Sequence, residues 1–218
     1  MYQPPLFKES RPEILHGLIR SHPLGLLITN GPDGPFVNPM PFLLDEDVPP
    51  NGRLRVHLAR ANPQGRLLAE NPDQPVLVVF QGIDAYITPS WYETKRETGK
   101  VVPTWNYAMV QVRGMARVIE DQAWLAQQIN DLTTFHERDR AEPWAVTDAP
   151  SDFISAQMRA IIGVEIDITE ITGKWKVSQN RPMADRVGVV HGLETERQTP
   201  DSLEMAQLVR SFGGVPEK

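Results

Sequence analysis

The sequence contains no cysteine. This absence excludes disulfide bonds, thiolate nucleophiles and metal sites with cysteine ligands, and it is compatible with a reducing compartment without proving one. Redox chemistry, if present, therefore requires a bound cofactor.

Long apolar stretches are also missing. No apolar run is long enough to cross a bilayer, and the N-terminal stretch MYQPPLFKES lacks the basic-then-apolar pattern of a secretory signal. We therefore expect a soluble, cytoplasmic protein with no membrane partner.

An excess of positive charge is absent as well. The chain has 22 Lys and Arg against 28 Asp and Glu, a formal net charge of −6. A net acidic protein must gather its cations on one face to hold a phosphate backbone. The one dense basic cluster, Lys95, Arg96 and Lys100, is interpreted as a solvated surface loop in preference to a DNA contact.

Motifs of the common hydrolases and metalloenzymes are not found. The chain has no GxSxG, P-loop or HExxH pattern, and its five histidines are scattered. A nucleophilic Ser90 or Ser178 would need a neighbouring base, which the sequence does not identify. We predict no metal site and leave any catalytic residue unassigned.

The chain has ample apolar content for a core. Its 218 residues are 40% hydrophobic, which favours one domain over residues 1–218. Residues 183–218 are expected to form a helical extension at the end of that domain.

Hydrophobic periodicity predicts many short strands, joined by turns, and a few helices. Helices are expected over residues 11–22, 121–138, 152–158, 183–193 and 202–212, with a short one after residue 62. Strands are expected over residues 24–29, 36–44, 54–59, 76–80, 85–88, 101–120 and 161–177.

Two predicted hairpin turns decide the fold class. They lie at Asn30–Gly34 and Gln81–Asp84, and they leave no room for the crossover helices of a doubly wound α/β sheet. Barrel closure would remove the exposed edges of such short strands. We predict a mainly β protein with peripheral helices (α+β), an antiparallel split β-barrel.

The second arm of the first hairpin has unusual chemistry for a strand. Pro39 and Pro41 remove two ladder donors, which is typical of an edge strand or a bulge. Backbone groups of such a strand are free to meet a ligand.

The turn Arg60-Ala61-Asn62-Pro63 follows the strand that contains His57. Unsatisfied N–H groups at a helix start, together with a cation, can hold a phosphate. The alternative is that Asn62 caps the helix, Pro63 opens it and Arg60 is solvated. A lone histidine on a strand, such as His57, is more often structural than catalytic.

Five segments together resemble one protein family. They are MYQPPLF, HLARANPQ, AYITPSWY, VPTWNYAMVQVRG and KWKVSQNRP. Together they are similar to the PaiB-type proteins, FMN-binding negative transcriptional regulators within the flavin-binding split barrels related to pyridoxamine-phosphate oxidase. The resemblance implies an FMN-binding split barrel that forms a homodimer, with FMN at the subunit interface.

The resemblance also implies a set of cofactor-binding residues. The phosphate would meet the turn after the His57 strand, the isoalloxazine would lie along the edge strand, and a third segment, from the same or the partner subunit, would border the pocket. These residues are Arg60, Ala61 and Asn62 at the phosphate, Met40, Pro41 and Phe42 at the ring, and Trp105 and Asn106 at the border, with His57 nearby.

One departure from the family pattern affects affinity. Related oxidases carry a Ser-Arg-Lys run in the phosphate turn, where this chain has Asn62, Pro63 and Gln64. Fewer cations imply weaker FMN binding.

Other polar and aromatic residues have more than one interpretation. Trp91 and Trp105 are either site residues or anchors of the core or of a dimer interface. The cluster Lys176, Gln179, Asn180 and Arg181 either closes over a ligand, reaches a partner chain or ends the last strand.

Three functions remain open from the sequence. The first is an FMN-binding negative transcriptional regulator with a DNA or regulatory protein partner. The second is a flavin-dependent oxidoreductase, in which the cofactor carries the chemistry. The third is a cofactor-free dimeric module in which the turn is only a helix cap.

Overall fold

The computed structural model describes residues 1–72 and 74–216. Within them the chain forms an antiparallel eight-stranded sheet and seven α-helices. The strands are β1 (Lys8–Glu9), β2 (Leu24–Gly31), β3 (Gly34–Pro41), β4 (Leu43–Asp45), β5 (Arg53–Ala59), β6 (Gln74–Ile87), β7 (Thr104–Ile119) and β8 (Ile161–Lys176). The helices are α1 (Pro12–Ser21), α2 (Pro63–Glu70), α3 (Glu93–Thr98), α4 (Gln122–Glu137), α5 (Ser151–Arg159), α6 (Met183–Gly192) and α7 (Pro200–Gly213).

The strand order of the sheet is β3-β2-β6-β7-β8-β5-β4, and β1 pairs with β8. This arrangement confirms the predicted α+β class with an antiparallel sheet. It also confirms β3 as an edge strand, since β2 is its neighbour on one side and it ends the order.

The predicted hairpin at Gln81–Asp84 is wrong. β6 runs unbroken through these residues, and the side chains of Gln81 and Asp84 hydrogen-bond each other at 3.0 Å. A β-carbon on Gly82 would lie 3.1 Å from the Leu18 side chain and 3.3 Å from the carbonyl oxygen of Ala108. The glycine therefore marks a close approach within a strand, which in sequence looks like a turn.

The described chain forms two compact units. The first unit contains Met1–Leu18, Gln81–Val110 and the chain from Thr172 onward, and the second contains Ile19–Phe80 and Gln111–Ile171. One domain over residues 1–218 with a helical extension stays a prediction, although helices α6 and α7 lie where terminal helices were expected.

The second unit buries one face of β5 and β8. Alternate residues point to opposite faces of a strand, so each strand contributes every second side chain to this core. The buried side chains are Leu54, Val56 and Leu58 on β5 and Ile162, Val164 and Ile166 on β8.

Helix α4 covers the other face of the same strands. A β-carbon on Gly163 of β8 would lie 2.1 Å from the indole of Trp124. The helix therefore packs directly on the strand at a position where only glycine leaves room.

The first unit is anchored by buried aromatic side chains. Trp91 is buried, and Trp175 stacks on Phe212 with ring centroids 5.9 Å apart. The interpretation of Trp91 as a core anchor is confirmed.

Candidate functional site

The edge hairpin of the second unit exposes an apolar face. Directly opposite residues of β2 and β3 share a face, and here Leu26 faces Pro39 and Ile28 faces Val37. Leu24 is 65% exposed, Val37 47% and Leu26 40%. Leu24, Leu26, Val37 and Pro39 form what we call the hairpin face.

The predicted ring-binding residues lie at the end of the same hairpin. Met40 and Phe42 are buried, and the Phe42 ring meets Phe80 edge-on with centroids 5.6 Å apart. The Phe42 N–H donates to the carbonyl of Pro23 at 2.9 Å. The side chains of Met40 and Phe42 therefore belong to the core, and this segment offers a ring its backbone and half-buried Pro41.

The predicted phosphate turn is a well-formed helix cap. The Asn62 side-chain oxygen accepts from the Gln64 N–H at 3.0 Å, and Pro63 occupies the first turn of α2. The Gly65 N–H donates to the Asn62 carbonyl at 3.0 Å, and the Asn62 N–H donates to Ala59 at 2.8 Å. These donors are engaged within the chain, so a phosphate would have to compete for them or rely on the side chain of Arg60.

Arg60 already has an anionic partner. Its guanidinium forms an ion pair with Glu120, and both side chains are about half exposed or more. The Arg60 N–H donates to Ala160 at 2.8 Å, which holds the turn in place. An exposed pair of this kind contributes about 0–1 kcal/mol, so a phosphate can displace the carboxylate.

Gln64 connects the turn to the edge hairpin. This side chain is fully buried, and its amide nitrogen donates to the Leu27 carbonyl at 3.0 Å. Its oxygen accepts from Asn38 of β3 at 2.9 Å. In the sequence, Gln64 stands out only because related oxidases have a cation in this turn, and no periodic pattern indicates that it is buried. Its hydrogen bonds nevertheless fix the turn and the edge strand relative to each other.

His57 lies on the face of β5 that α4 covers. It stands opposite Gly163, and its Nδ1 is buried with no hydrogen-bond partner among the described atoms. Burial lowers the pKa of His57, so the ring is held neutral near pH 7. An orphaned buried nitrogen three positions before Arg60 is a group that a bound ligand or water can satisfy.

A polar network centred on Glu165 of β8 lies between α4 and the sheet. Burial alone would raise the pKa of Glu165, but hydrogen bonds from Arg117 and Trp124 and the charge of Arg53 lower it below its usual value. The Trp124 indole donates to Glu165 at 2.8 Å. This carboxylate therefore joins β5, β7, β8 and α4.

Trp105 and Asn106 belong to the first unit. Trp105 is 53% exposed and meets Tyr86 edge-on at 5.9 Å. Asn106 is buried and donates to the Ser178 hydroxyl at 2.9 Å. Trp105 thus presents a ring surface, whereas Asn106 holds Ser178 in the segment that follows β8.

Trp105 also lines a cleft of the first unit. The cleft has a volume of about 360 Å³ and is lined by Gln81, Asp84, Trp105, Tyr107 and Met109. We call it the aromatic cleft.

None of the helices in the described part of the chain is long and apolar enough to cross a bilayer. Within residues 1–72 and 74–216, no group of three or more His, Cys, Asp or Glu side chains is placed to hold a metal ion.

The residues present are compatible with FMN. The edge strand β3 has prolines in place of two ladder donors, so its backbone can meet the polar rim of a ring. Arg60, beside the start of α2, can exchange its carboxylate partner for a phosphate, and the unpaired His57 nitrogen can accept or donate one more hydrogen bond. The hairpin face supplies apolar cover.

Comparison with known proteins agrees with this chemistry. The family model described as "Putative FMN-binding domain" matches residues 1–170. An uncharacterised protein of Aspergillus fumigatus is 35% identical over 262 aligned positions that cover all of both chains. The "Protease synthase and sporulation protein PAI 2" of Bacillus subtilis is 30% identical over 96% of each chain.

Solved structures share the fold at low identity. The FAD- and heme-binding protein of Mycobacterium smegmatis has a TM-score of 0.56 and 18% identity, over 77% of this chain and 72% of that chain. The predicted split barrel is confirmed. The chain belongs to the FMN-binding family of PaiB-type split barrels, with FMN as its cofactor.

Proposed function

We propose that this FMN-binding protein is a cytoplasmic homodimer that acts as a negative transcriptional regulator. The observation that carries the proposal is the similarity to the Bacillus subtilis protein over 96% of both chains, because that protein's name refers to protease synthesis and sporulation. In this proposal, the presence or absence of bound FMN controls whether the protein represses transcription.

The hairpin face supports the dimer. Monomeric proteins rarely leave contiguous apolar surface on a sheet edge, and a second copy of the chain is the partner that the family resemblance implies. In the dimer we assign the ring to the backbone of Met40–Phe42 and the phosphate to Arg60, Ala61 and Asn62. Trp105 of the partner subunit borders the pocket, with Asn106 holding that segment in place.

Arg60 and His57 have distinct roles in this assignment. Arg60 exchanges Glu120 for the phosphate, so that binding replaces one exposed ion pair by another. His57 stays neutral and offers its unpaired Nδ1 as a hydrogen-bonding group near the turn. When bound, FMN supplies the ability to accept or donate electrons.

Charge favours regulation through a protein partner over direct DNA contact. The net charge of −6 opposes a phosphate backbone. Of the basic cluster, Arg96 already pairs with Glu93 and Lys95 donates to Ser90. A DNA partner is the weaker alternative.

A flavin-dependent oxidoreductase is the second candidate. The aromatic cleft favours it, because an open cleft of about 360 Å³ is large enough to admit a small second substrate.

One experiment separates the two candidates. Purified FMN-loaded and flavin-free protein are compared in a reporter assay of transcription and in oxidation of reduced nicotinamide dinucleotide. Repression that depends on FMN, without turnover, supports the regulator. Turnover without an effect on transcription overturns the regulator and supports the enzyme.

A further inference from the structure

A pocket of the second unit lies between the turn of the edge hairpin and helix α2. Its volume is about 400 Å³, which is within the range of small-molecule sites in proteins. The side chains that decide its chemistry are Asp33, Pro35 and Phe36 from the turn and Arg66, Leu67 and Glu70 from the helix. We call it the hairpin pocket.

The two walls of the hairpin pocket are joined by hydrogen bonds. Buried Gln64 of α2 donates to the Phe36 carbonyl at 3.4 Å and accepts from Asn38 at 2.9 Å. At the turn, Gly31 pairs with Gly34 in the β2–β3 ladder, and Gly34 has a φ of 119°, a conformation that favours glycine. The walls are therefore positioned before a ligand enters, which lowers the ordering that binding requires.

The floor of the hairpin pocket is apolar. Phe36 and Leu67 are half-buried, so each keeps part of its side chain open to the pocket. The Leu67 side chain reaches the turn, because a β-carbon on Gly31 would lie 3.6 Å from its Cδ1. The floor thus offers an aromatic ring and an aliphatic side chain to a hydrophobic group of a ligand.

The rim of the hairpin pocket carries charges of both signs. Arg66 and Glu70 are four positions apart, so both lie on the side of α2 that faces the turn, where Asp33 is located. Among residues 1–72 and 74–216, none of these three side chains forms an ion pair, although opposite charges share one pocket. The guanidinium and the two carboxylates are therefore free to meet a ligand.

This combination specifies the chemistry of a ligand. A guanidinium matches the geometry of a carboxylate, with which it can form two parallel hydrogen bonds. An ammonium group has three N–H donors and can meet two carboxylates at once. The apolar floor suits a ring. A ligand that has a carboxylate, an ammonium group and a ring is an aromatic α-amino acid.

We propose that the hairpin pocket binds an aromatic α-amino acid. Its carboxylate lies against Arg66, and its ammonium group against Asp33 and Glu70. Its ring packs on Phe36 and Leu67. The inference goes beyond the proposed function and does not depend on it, because none of the residues that we assign to FMN lines the pocket.

The test measures binding by calorimetry with L-phenylalanine and with two analogues. Phenethylamine lacks the carboxylate, and hydrocinnamate lacks the ammonium group. The variants of the full-length protein are Arg66→Met and the double variant Asp33→Asn with Glu70→Gln. The matched control is Arg159→Met, which removes an exposed arginine of α5 outside the pocket. All four substituted side chains are exposed, so the variants are expected to fold.

The wild-type protein and Arg159→Met are expected to bind L-phenylalanine about tenfold more tightly than either analogue, the effect of one charge-assisted contact. Arg66→Met should lose most of the preference over phenethylamine and keep the preference over hydrocinnamate. The double variant should show the reverse. Loss of folding would not produce this crossed pattern.

Two results would overturn the inference in the flavin-free protein. One is that the wild-type protein does not bind L-phenylalanine, and the other is that both pocket variants keep both preferences.

A second titration separates the hairpin pocket from the FMN site. Pro63 lines the pocket and directly follows Asn62 of the turn that we assign to the phosphate. We expect the same affinity for L-phenylalanine in the FMN-loaded and the flavin-free protein. Competition between the two ligands would place them in one site and overturn the inference. If FMN itself does not bind, the proposed function fails, while the flavin-free titration still tests the pocket.

Discussion

Arg60 belongs to the turn that we assign to the FMN phosphate, and Glu120 competes with the phosphate for its guanidinium. Replacing Arg60 with alanine is expected to weaken FMN binding by about 1–3 kcal/mol, the range for a charge-assisted hydrogen bond. Glu120→Gln frees the guanidinium and is expected to strengthen binding. A flavin titration measures both variants, and equal affinities for all three proteins would show that Arg60 is not a phosphate ligand.

His57 gives the stability of the protein a defined pH dependence. Because burial lowers its pKa in the folded state, the unfolded chain binds a proton more readily, and the free energy of unfolding falls as pH drops below the ordinary value of 6.5. His57→Gln removes this contribution. Denaturant unfolding at about pH 7.5 and pH 5.5 should show a smaller loss of stability for this variant than for the wild-type protein.

A matched control for that experiment is His136→Gln, which changes an exposed histidine of α4. This control should keep the wild-type pH dependence. If His57→Gln keeps it as well, the buried ring does not titrate as described.

Residues with local partners could be predicted from the sequence, whereas residues with distant partners could not. Asn62 and Pro63 carry local capping chemistry, which a linear pattern reveals. The partners of Gln64 and Arg60 lie 37 and 60 positions away, at Leu27 and Glu120, and no local signal links such distant residues. The pairing of Arg60 with a carboxylate was therefore outside the reach of the sequence.

Helix α2 is capped at its start by the side chain of Asn62. Asn62→Ala removes the cap on the Gln64 N–H and is expected to lower the free energy of unfolding by about 1 kcal/mol. Asn62→Asp retains an acceptor and should stay close to the wild-type stability. Denaturant unfolding measures both, and an unchanged stability of the alanine variant would show that the cap does not stabilise α2.

The elements were predicted where periodicity and turn chemistry agree. The edge position of β3 follows from Pro39 and Pro41, because proline cannot donate to a sheet ladder. The sequence predicted two strands in place of β6 because Gln81-Gly82 resembles a turn. In the structure a glycine is needed at position 82 because Leu18 and Ala108 pack closely against it. Helix α3, inside the predicted polar loop, has no apolar stripe that could reveal it.

For the whole molecule, we propose that the hairpin face forms the interface of the homodimer. A lysine at Leu26 or Val37 places a charge on the face that we assign to the dimer interface, so both variants are expected to be monomeric. Phe153→Lys adds the same charge at an exposed phenylalanine of α5, outside the hairpin face, and should remain dimeric. Light scattering after size exclusion gives the masses, and dimers of all three variants would place the interface elsewhere.

Retention of FMN by the purified protein tests the proposed site most directly. Flavin-free protein is incubated with FMN, desalted, and its visible absorption spectrum recorded, after which any flavin is released and identified. We expect a yellow protein that retains one FMN per chain, and an Arg60→Ala variant that loses most of its FMN. A colourless protein that does not quench the fluorescence of added FMN would contradict it.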